Sequence, residues 1–133
     1  MARFRFSIRQ YLLFAEKGAQ AAGLTSQQHQ ALLAIKAQSF TGVITVGDLA
    51  KRLLLRPHST AELVNRLALA NLITRTVSDQ DRRKIGLHLT PKGEAVLAQL
   101  SESNLQELRT VSPAFETLIE RLAHLVEPES RKE

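Results

Sequence analysis

Cysteine is absent from this 133-residue sequence. Disulfide bonds, thiolate metal sites, cysteine nucleophiles and switches based on thiol oxidation are therefore excluded. A chain without disulfides fits the reducing cytoplasm, although it does not require that compartment. We accordingly expect a cytoplasmic protein.

Long apolar runs and aromatic residues are also scarce. No apolar run approaches the roughly 20 residues that cross a bilayer as a helix, so we predict no membrane-spanning segment. The initial stretch MARFRFSIRQYLLFAEKG lacks a clean apolar core and a cleavage site, so we do not expect a signal peptide. Aromatic residues make up 5% of the chain and helix-forming residues dominate, which predicts a mostly helical protein.

No constellation of side chains points to catalysis or to metal binding. The four histidines are scattered without i, i+4 spacing: His29, His58, His88 and His124. Ser59 has no triad partners in view, and there is no glycine-rich phosphate loop. We therefore predict a protein that is not an enzyme and uses no cofactor or metal.

The charge balance favours an anionic partner. Lysine and arginine number 18 against 13 acidic residues, for a net charge of +5. Nucleic acid and an acidic membrane surface are both compatible with this excess, and so is simple solubility.

Helix-start signals divide the first half of the chain. An apolar periodicity through Ile8, Tyr11, Leu12 and Ala15 predicts a helix that fades at Gly23. Two capping boxes follow, at residues 25–28 and 45–48, each with threonine at the N-cap. The second predicts a short helix over residues 48–54, preceded by a short strand within residues 43–46.

Pro57 is predicted to begin the next helix, which extends to about residue 70. One face of this helix is apolar at i, i+3, i+4, i+7 spacing and the opposite face is polar. Asn71 is a plausible left-handed C-cap. The apolar face carries Thr60, Leu63, Val64 and Leu67, and the polar face carries His58, Glu62 and Asn65.

Residues 72–77 and 85–89 alternate as strands around the polar stretch VSDQDRRKIG, which predicts a β-hairpin. Thr90-Pro91 and Ser112-Pro113 each signal a helix start, which predicts two further helices. A helix-turn-helix followed by a hairpin is a winged helix-turn-helix. The predicted fold is thus mostly α with a small β-hairpin wing.

Three segments together resemble the MarR family of bacterial winged-helix transcription regulators. They are LTSQQHQALLAI at residues 24–35, LAKRLLLRPHSTAELVNRLALANLI at residues 49–73 and SDQDRRKIGLHLTPKGEAVL at residues 78–97. The family's wing tip is typically Asp-Arg-Arg, followed by a strand and Leu-Thr-x-x-Gly. The corresponding residues here are Asp81, Arg82, Arg83, Leu89, Thr90 and Gly93.

Four positions depart from the family pattern. Leu54 and Asn71 replace usual glycines, and Arg56 replaces a usual serine N-cap. Glu62 stands where a basic or neutral residue is common. A carboxylate there repels phosphate but is able to accept from cytosine N4.

The resemblance implies sequence-specific binding of double-stranded DNA. The helix from Pro57 would enter the major groove, and the wing would reach the adjacent minor groove. The expected recognition-helix contacts are Pro57, His58, Ser59, Ala61, Glu62, Asn65 and Arg66. The expected wing contacts are Arg75, Asp81, Arg82, Arg83 and Lys84, with Arg75 and Lys84 touching either phosphate or only water.

The resemblance also implies a homodimer, because the family pairs its terminal helices across a two-fold axis. We expect one domain over residues 1–133, a winged core over residues 24–97, and dimerisation helices at residues 1–22 and 98–127. The resemblance further implies a pseudo-palindromic operator, repression as the action, and a small organic effector that relieves it. The alternative is a winged-helix module that contacts protein and does not bind DNA specifically.

Overall fold

The computed structural model describes residues 2–77 and 83–126. It contains five helices and three strands within these residues, and it confirms the predicted fold class. In chain order they are α1 (Ala2–Ala21), α2 (Ser26–Gln38), β1 (Ile44–Thr45), α3 (Val46–Leu53), α4 (Pro57–Leu69), β2 (Ile73–Val77), β3 (Ile85–Leu89) and α5 (Pro91–Val126).

Both predicted capping boxes are formed. The Thr25 hydroxyl accepts from the backbone N–H of Gln28 at 3.1 Å, and the Thr45 hydroxyl accepts from that of Asp48 at 3.2 Å. In return, the side chains of Gln28 and Asp48 accept from the threonine N–H groups. Since Thr45 is the N-cap, α3 begins at Val46, two residues earlier than predicted.

Helix α4 begins at Pro57 as predicted, and its N-cap Arg56 makes no side-chain capping hydrogen bond. The predicted apolar face, from Thr60 to Leu67, is buried. The Thr60 hydroxyl donates to the Arg56 carbonyl at 2.9 Å, which places a polar group in the core without leaving it unpaired.

Two turns around α4 use left-handed backbone. Leu54, between α3 and α4, has φ 56° and ψ 40°, and Asn71, after α4, has φ 60°. The left-handed conformation predicted at Asn71 is confirmed, but the C-cap of α4 is Ala70, one residue earlier. The leucine holds a conformation that its Cβ disfavours.

The sheet is antiparallel with strand order β1-β3-β2. Strands β2 and β3 form the predicted hairpin, with Ile73 opposite Leu89 and Val77 opposite Ile85. Strand β1 adds to the other side of β3 through Ile44 and Leu87. The hairpin therefore belongs to the same sheet as β1, the strand that leads directly into α3.

The prediction of a new helix at Ser112-Pro113 is wrong. Helix α5 runs from Pro91 to Val126 with Pro113 inside it. A Ser-Pro pair is compatible with the start of a helix, but it does not require that a helix already running through the preceding residues end there. Proline removes one backbone donor, and the helix continues. The Thr117 hydroxyl donates to the Pro113 carbonyl at 2.9 Å.

The core lies where α2, α3, α4 and the start of α5 pack against the sheet. Its largest fully buried side chains are Leu32, Ile35, Ile44, Leu49, Leu67, Val64 and Thr60. Lys36 on α2 pairs with Glu94 on α5 at 2.9 Å, at the edge of this core. Among the residues described, no helix combines the length and apolar character needed to cross a membrane.

Candidate nucleic-acid interface

One line of side chains on α4 points directly away from the core. At 100° per residue, the direction opposite the buried face is occupied by every third or fourth residue. All four side chains on this line are exposed: His58, Glu62, Asn65 and Leu69. The polar members occupy the first three turns, which is the part of a recognition helix that meets base edges.

Two members of this line contact each other. The Nε2 atom of His58 lies 3.3 Å from Oε1 of Glu62, one turn further along. Both side chains remain open to solvent, with 88% and 60% of their surface exposed. The contact therefore orients the only carboxylate of α4 without burying it.

The third member contacts the hairpin. The Arg75 guanidinium on β2 donates through Nη2 to the Oδ1 atom of Asn65. This hydrogen bond joins the middle of α4 to the wing base and fixes the position of one cationic group beside the outer face. Arg75 is therefore placed with the α4 residues.

The other predicted α4 residues flank this line. Pro57, Ser59, Ala61 and Arg66 are all exposed. Arg66 is near the C-terminal end of α4, where a cation interacts favourably with the helix dipole. The structure thus brings together every residue predicted for the recognition helix on one accessible surface.

The hairpin is described only in part. Arg83 and Lys84 are exposed at the start of the second arm of the wing. Asp81 and Arg82, also predicted to act at the wing, lie outside the described residues. Their predicted contacts with DNA therefore stay predictions.

Lys84 faces the N-terminus of α3. A cavity of about 290 Å³ lies between them, lined by Thr45, Asp48, Arg83 and Lys84 among others. Hydrogen bonds from the backbone and side chain of Thr45 lower the pKa of Asp48, and the positive charges of Lys51 and Lys84 lower it further. Asp48 therefore stays ionised as part of the α3 cap.

Three exposed cations were missed by the sequence analysis: Lys51 and Arg52 on α3 and Arg56 in the turn. They belong to the first helix and turn of the helix-turn-helix, which crosses the phosphate backbone in such motifs. Their position in the first helix and the turn of the motif is the sequence signal that points to them.

The histidines are not gathered into a cluster of potential metal ligands: no group of three or more such ligands lies close together in the part of the chain that is described. His29 is buried on α2, with 5% of its surface exposed, and its Nε2 atom has no hydrogen-bond partner among the described residues. Burial lowers the pKa of His29.

The arrangement is similar to that of known proteins. The model of the MarR family matches residues 22–84. An uncharacterised helix-turn-helix transcriptional regulator of Bacillus subtilis, YsmB, is 28% identical over 74 residues, which are 56% of this chain and 51% of YsmB. The transcriptional repressor MdtR of the same organism is 35% identical over 72 residues, 54% of this chain and 44% of MdtR. The chain thus spans about half the length of the curated relatives it matches.

The fold extends the likeness beyond this segment. MepR, a transcription regulator of the Staphylococcus aureus multidrug efflux pump MepA, superposes with a TM-score of 0.79 over 92% of this chain and 93% of MepR, at 20% identity. MepR has also been crystallised in complex with DNA. In its capped helix-turn-helix, its hairpin and the segment that the family model matches, this chain is similar to the MarR family of winged-helix transcription regulators.

Proposed function

We propose that this protein is a cytoplasmic, homodimeric repressor that binds a specific double-stranded DNA site. The observation that carries the proposal is the outer face of α4. It is exposed and polar over its first three turns, and it is held to the wing base through Asn65 and Arg75.

Charge supports a DNA partner. Exposed cations lie on α3, on the turn before α4, on α4 itself and on the hairpin: Lys51, Arg52, Arg56, Arg66, Arg75, Arg83 and Lys84. Lysine and arginine at such positions neutralise phosphates and release counterions, which supplies affinity that falls with salt. The names of MdtR, a repressor, and of the MepR–DNA complex support the same function.

In the proposed complex, α4 enters the major groove and the wing enters the adjacent minor groove. Arginine suits the narrow minor groove, where negative potential is concentrated. Arg82 and Arg83 fill this role, with Asp81 shaping the wing and Arg75 and Lys84 contacting phosphate.

Exposed apolar side chains on the terminal helices support the dimer. Helix α1 exposes Phe6, Leu12, Leu13 and Phe14, and α5 exposes Leu105, Leu108 and Leu125. A surface of this kind is typical of one that a partner covers. Two protomers present two α4 helices, which suits a pseudo-palindromic operator with half-sites about one helical turn apart. Since MepR has been solved with ethidium bromide bound, we extend the proposal to relief by a small organic effector.

The test is selection of bound sequences from a random DNA pool, followed by gel shifts of the selected site across salt concentrations. We expect a two-fold symmetric site and binding that weakens steeply as salt rises. Replacing Arg82 and Arg83 together by alanine should weaken binding strongly, flatten the salt slope and leave the melting temperature unchanged. A double variant that binds like the wild type would contradict the wing's role.

A second candidate function is docking of a protein partner on the same surface. Two exposed leucines favour it: Leu54, in the turn before α4, is 92% exposed, and Leu69, the last residue of α4, is 88% exposed. If the pool yields no selected sequence, or if binding is insensitive to salt, the result supports docking of a protein partner over DNA recognition.

A further inference from the structure

Glu62 is anomalous on a surface suited to DNA. It is the only acidic residue of α4, and it lies at the centre of the outer line, between His58 and Asn65. Apart from Glu62, the permanently charged side chains on α4 and β2 are both cations, Arg66 and Arg75, and both are exposed. A carboxylate so placed approaches DNA at its own electrostatic cost, because each phosphate repels it.

The chemistry of a carboxylate restricts what it is able to contact favourably. When ionised it only accepts hydrogen bonds. In the major groove, guanine presents the acceptors N7 and O6 and thymine presents O4, so both repel it. Adenine presents a donor beside the acceptor N7, whereas cytosine presents the N4 amino group as a donor. Cytosine is therefore the base that a carboxylate selects.

The contact with His58 increases the preference of Glu62 for cytosine. Without a neighbour, an exposed glutamate samples several rotamers, and fixing one of them costs conformational entropy when DNA binds. The imidazole Nε2 lies beside Oε1, so it restrains the carboxylate in advance and leaves the second oxygen, Oε2, outside this contact. Preorganisation of this kind favours specific over random binding.

We propose that Glu62, positioned by His58, recognises the N4 amino group of a cytosine in each half-site of the operator. The inference rests on the proposed DNA-binding function and adds the base that one residue reads. Glu62 accepts the hydrogen bond, and His58 acts through Glu62 as a positioning residue. The same carboxylate lowers affinity for random DNA, which widens the gap between specific and non-specific binding.

The experiment repeats the selection from random DNA with the wild type and two Glu62 variants. We expect the wild type to select cytosine at one position of each half-site, and replacement of that C·G pair by T·A to cost about tenfold in affinity. Glu62→Ala should lose this preference and bind random DNA more tightly. Glu62→Gln should change the preference to adenine, because glutamine pairs with adenine N6 and N7.

Two controls separate recognition from charge and from folding. Glu102→Gln removes one exposed carboxylate from α5, outside the helix-turn-helix and the hairpin, and should keep the wild-type base preferences. Thermal melting of Glu62→Gln, a nearly isosteric change, shows whether the variant is folded. If the wild type selects no sequence, the proposed function itself fails. If it selects a site and both Glu62 variants prefer the same bases as the wild type, only the present inference is overturned.

The positioning role of His58 is tested by rescue. His58→Ala should reduce the preference for cytosine over thymine, because it releases the Glu62 carboxylate. His58→Gln keeps a donor one turn from Glu62 and should restore most of that preference. Equal cytosine preference in His58→Ala and the wild type would show that Glu62 acts without His58.

Discussion

Gly93 on α5 lies against the backbone carbonyl of Leu72: a Cβ atom added at Gly93 would be 2.1 Å from that oxygen. Because backbone cannot move aside as a side chain does, we expect Gly93→Ala to lower the free energy of unfolding by about 2 kcal/mol or more, as overpacked cores do. Urea unfolding measures this. Gly42→Ala is the matched control, since nothing lies within 4 Å of its added Cβ, and it should be nearly neutral.

Replacing Leu54 by glycine should stabilise the protein. The left-handed conformation costs a residue with a Cβ about 1–2 kcal/mol, and Leu54 gains little from packing because 92% of it is exposed. Part of the gain is offset by the flexibility of glycine in the unfolded chain. The net effect, up to about 1 kcal/mol, is measurable by urea unfolding. Leu69→Gly, at a similarly exposed helical position, should lower stability. A similar loss of stability in Leu54→Gly would show that the left-handed conformation of Leu54 has no such cost.

Asp48 should make stability depend on pH in the acid range. Its pKa is lower in the folded protein, chiefly through hydrogen bonds with Thr45, so folding favours the ionised form. This contribution is fully present above the ordinary pKa of an aspartate and is lost as the pH falls through the lowered, folded pKa. Thermal melts across the acid range should show a shallower decline for Asp48→Asn than for the wild type. Glu102→Gln should leave the slope as it is.

His29 should lower the stability of the folded protein as the pH falls. A histidine paired with a carboxylate would do the opposite and stabilise the fold at low pH. Its pKa is lowered by burial, so the unfolded chain takes up a proton before the folded one does. Stability is therefore complete above the ordinary histidine pKa and declines between that value and the lowered one. His29→Leu should reduce the difference in melting temperature between about pH 5 and about pH 8. His124→Ala, at an exposed position, should retain it.

Arg75 should contribute affinity for DNA without base preference. Its guanidinium is tied to Asn65 beside the outer face of α4, where phosphates would approach. We expect Arg75→Ala to weaken gel-shift binding about equally for all sequences and to reduce the salt slope by about 1. Lys17→Ala removes an exposed charge from α1 and should change neither quantity. Unaltered binding of Arg75→Ala at low salt would assign Arg75 a purely structural role.

The features that the sequence predicted well are encoded within a few residues. A threonine and its partner three positions later are sufficient for the caps at Thr25 and Thr45, and a proline sets φ for the start of α4. The positive φ at Asn71 follows from the tolerance of asparagine for that region. At Pro113 the same local logic failed, because a start signal carries no information about the preceding turn.

The geometry of the candidate site was less accessible from sequence. Spacing placed His58 and Glu62 on one face, yet whether their side chains meet depends on rotamers that spacing does not specify. The hydrogen bond between Asn65 and Arg75 joins a helix to a strand, and it requires the turn at Asn71 to bring β2 back beside α4. Such a pair is fixed by tertiary structure alone.

The two-residue strand β1 has a kinetic consequence. Ile44 pairs with the distant residue Leu87, whereas each capping box closes within four residues. Because distant contacts demand prior loop closure, we expect this pair to form after the helix-turn-helix and the hairpin. The pairing of Ile44 with Leu87 would then complete the winged unit, and the backbone amides of β1, at the edge of the sheet, should exchange with solvent by local opening before that unit unfolds as a whole.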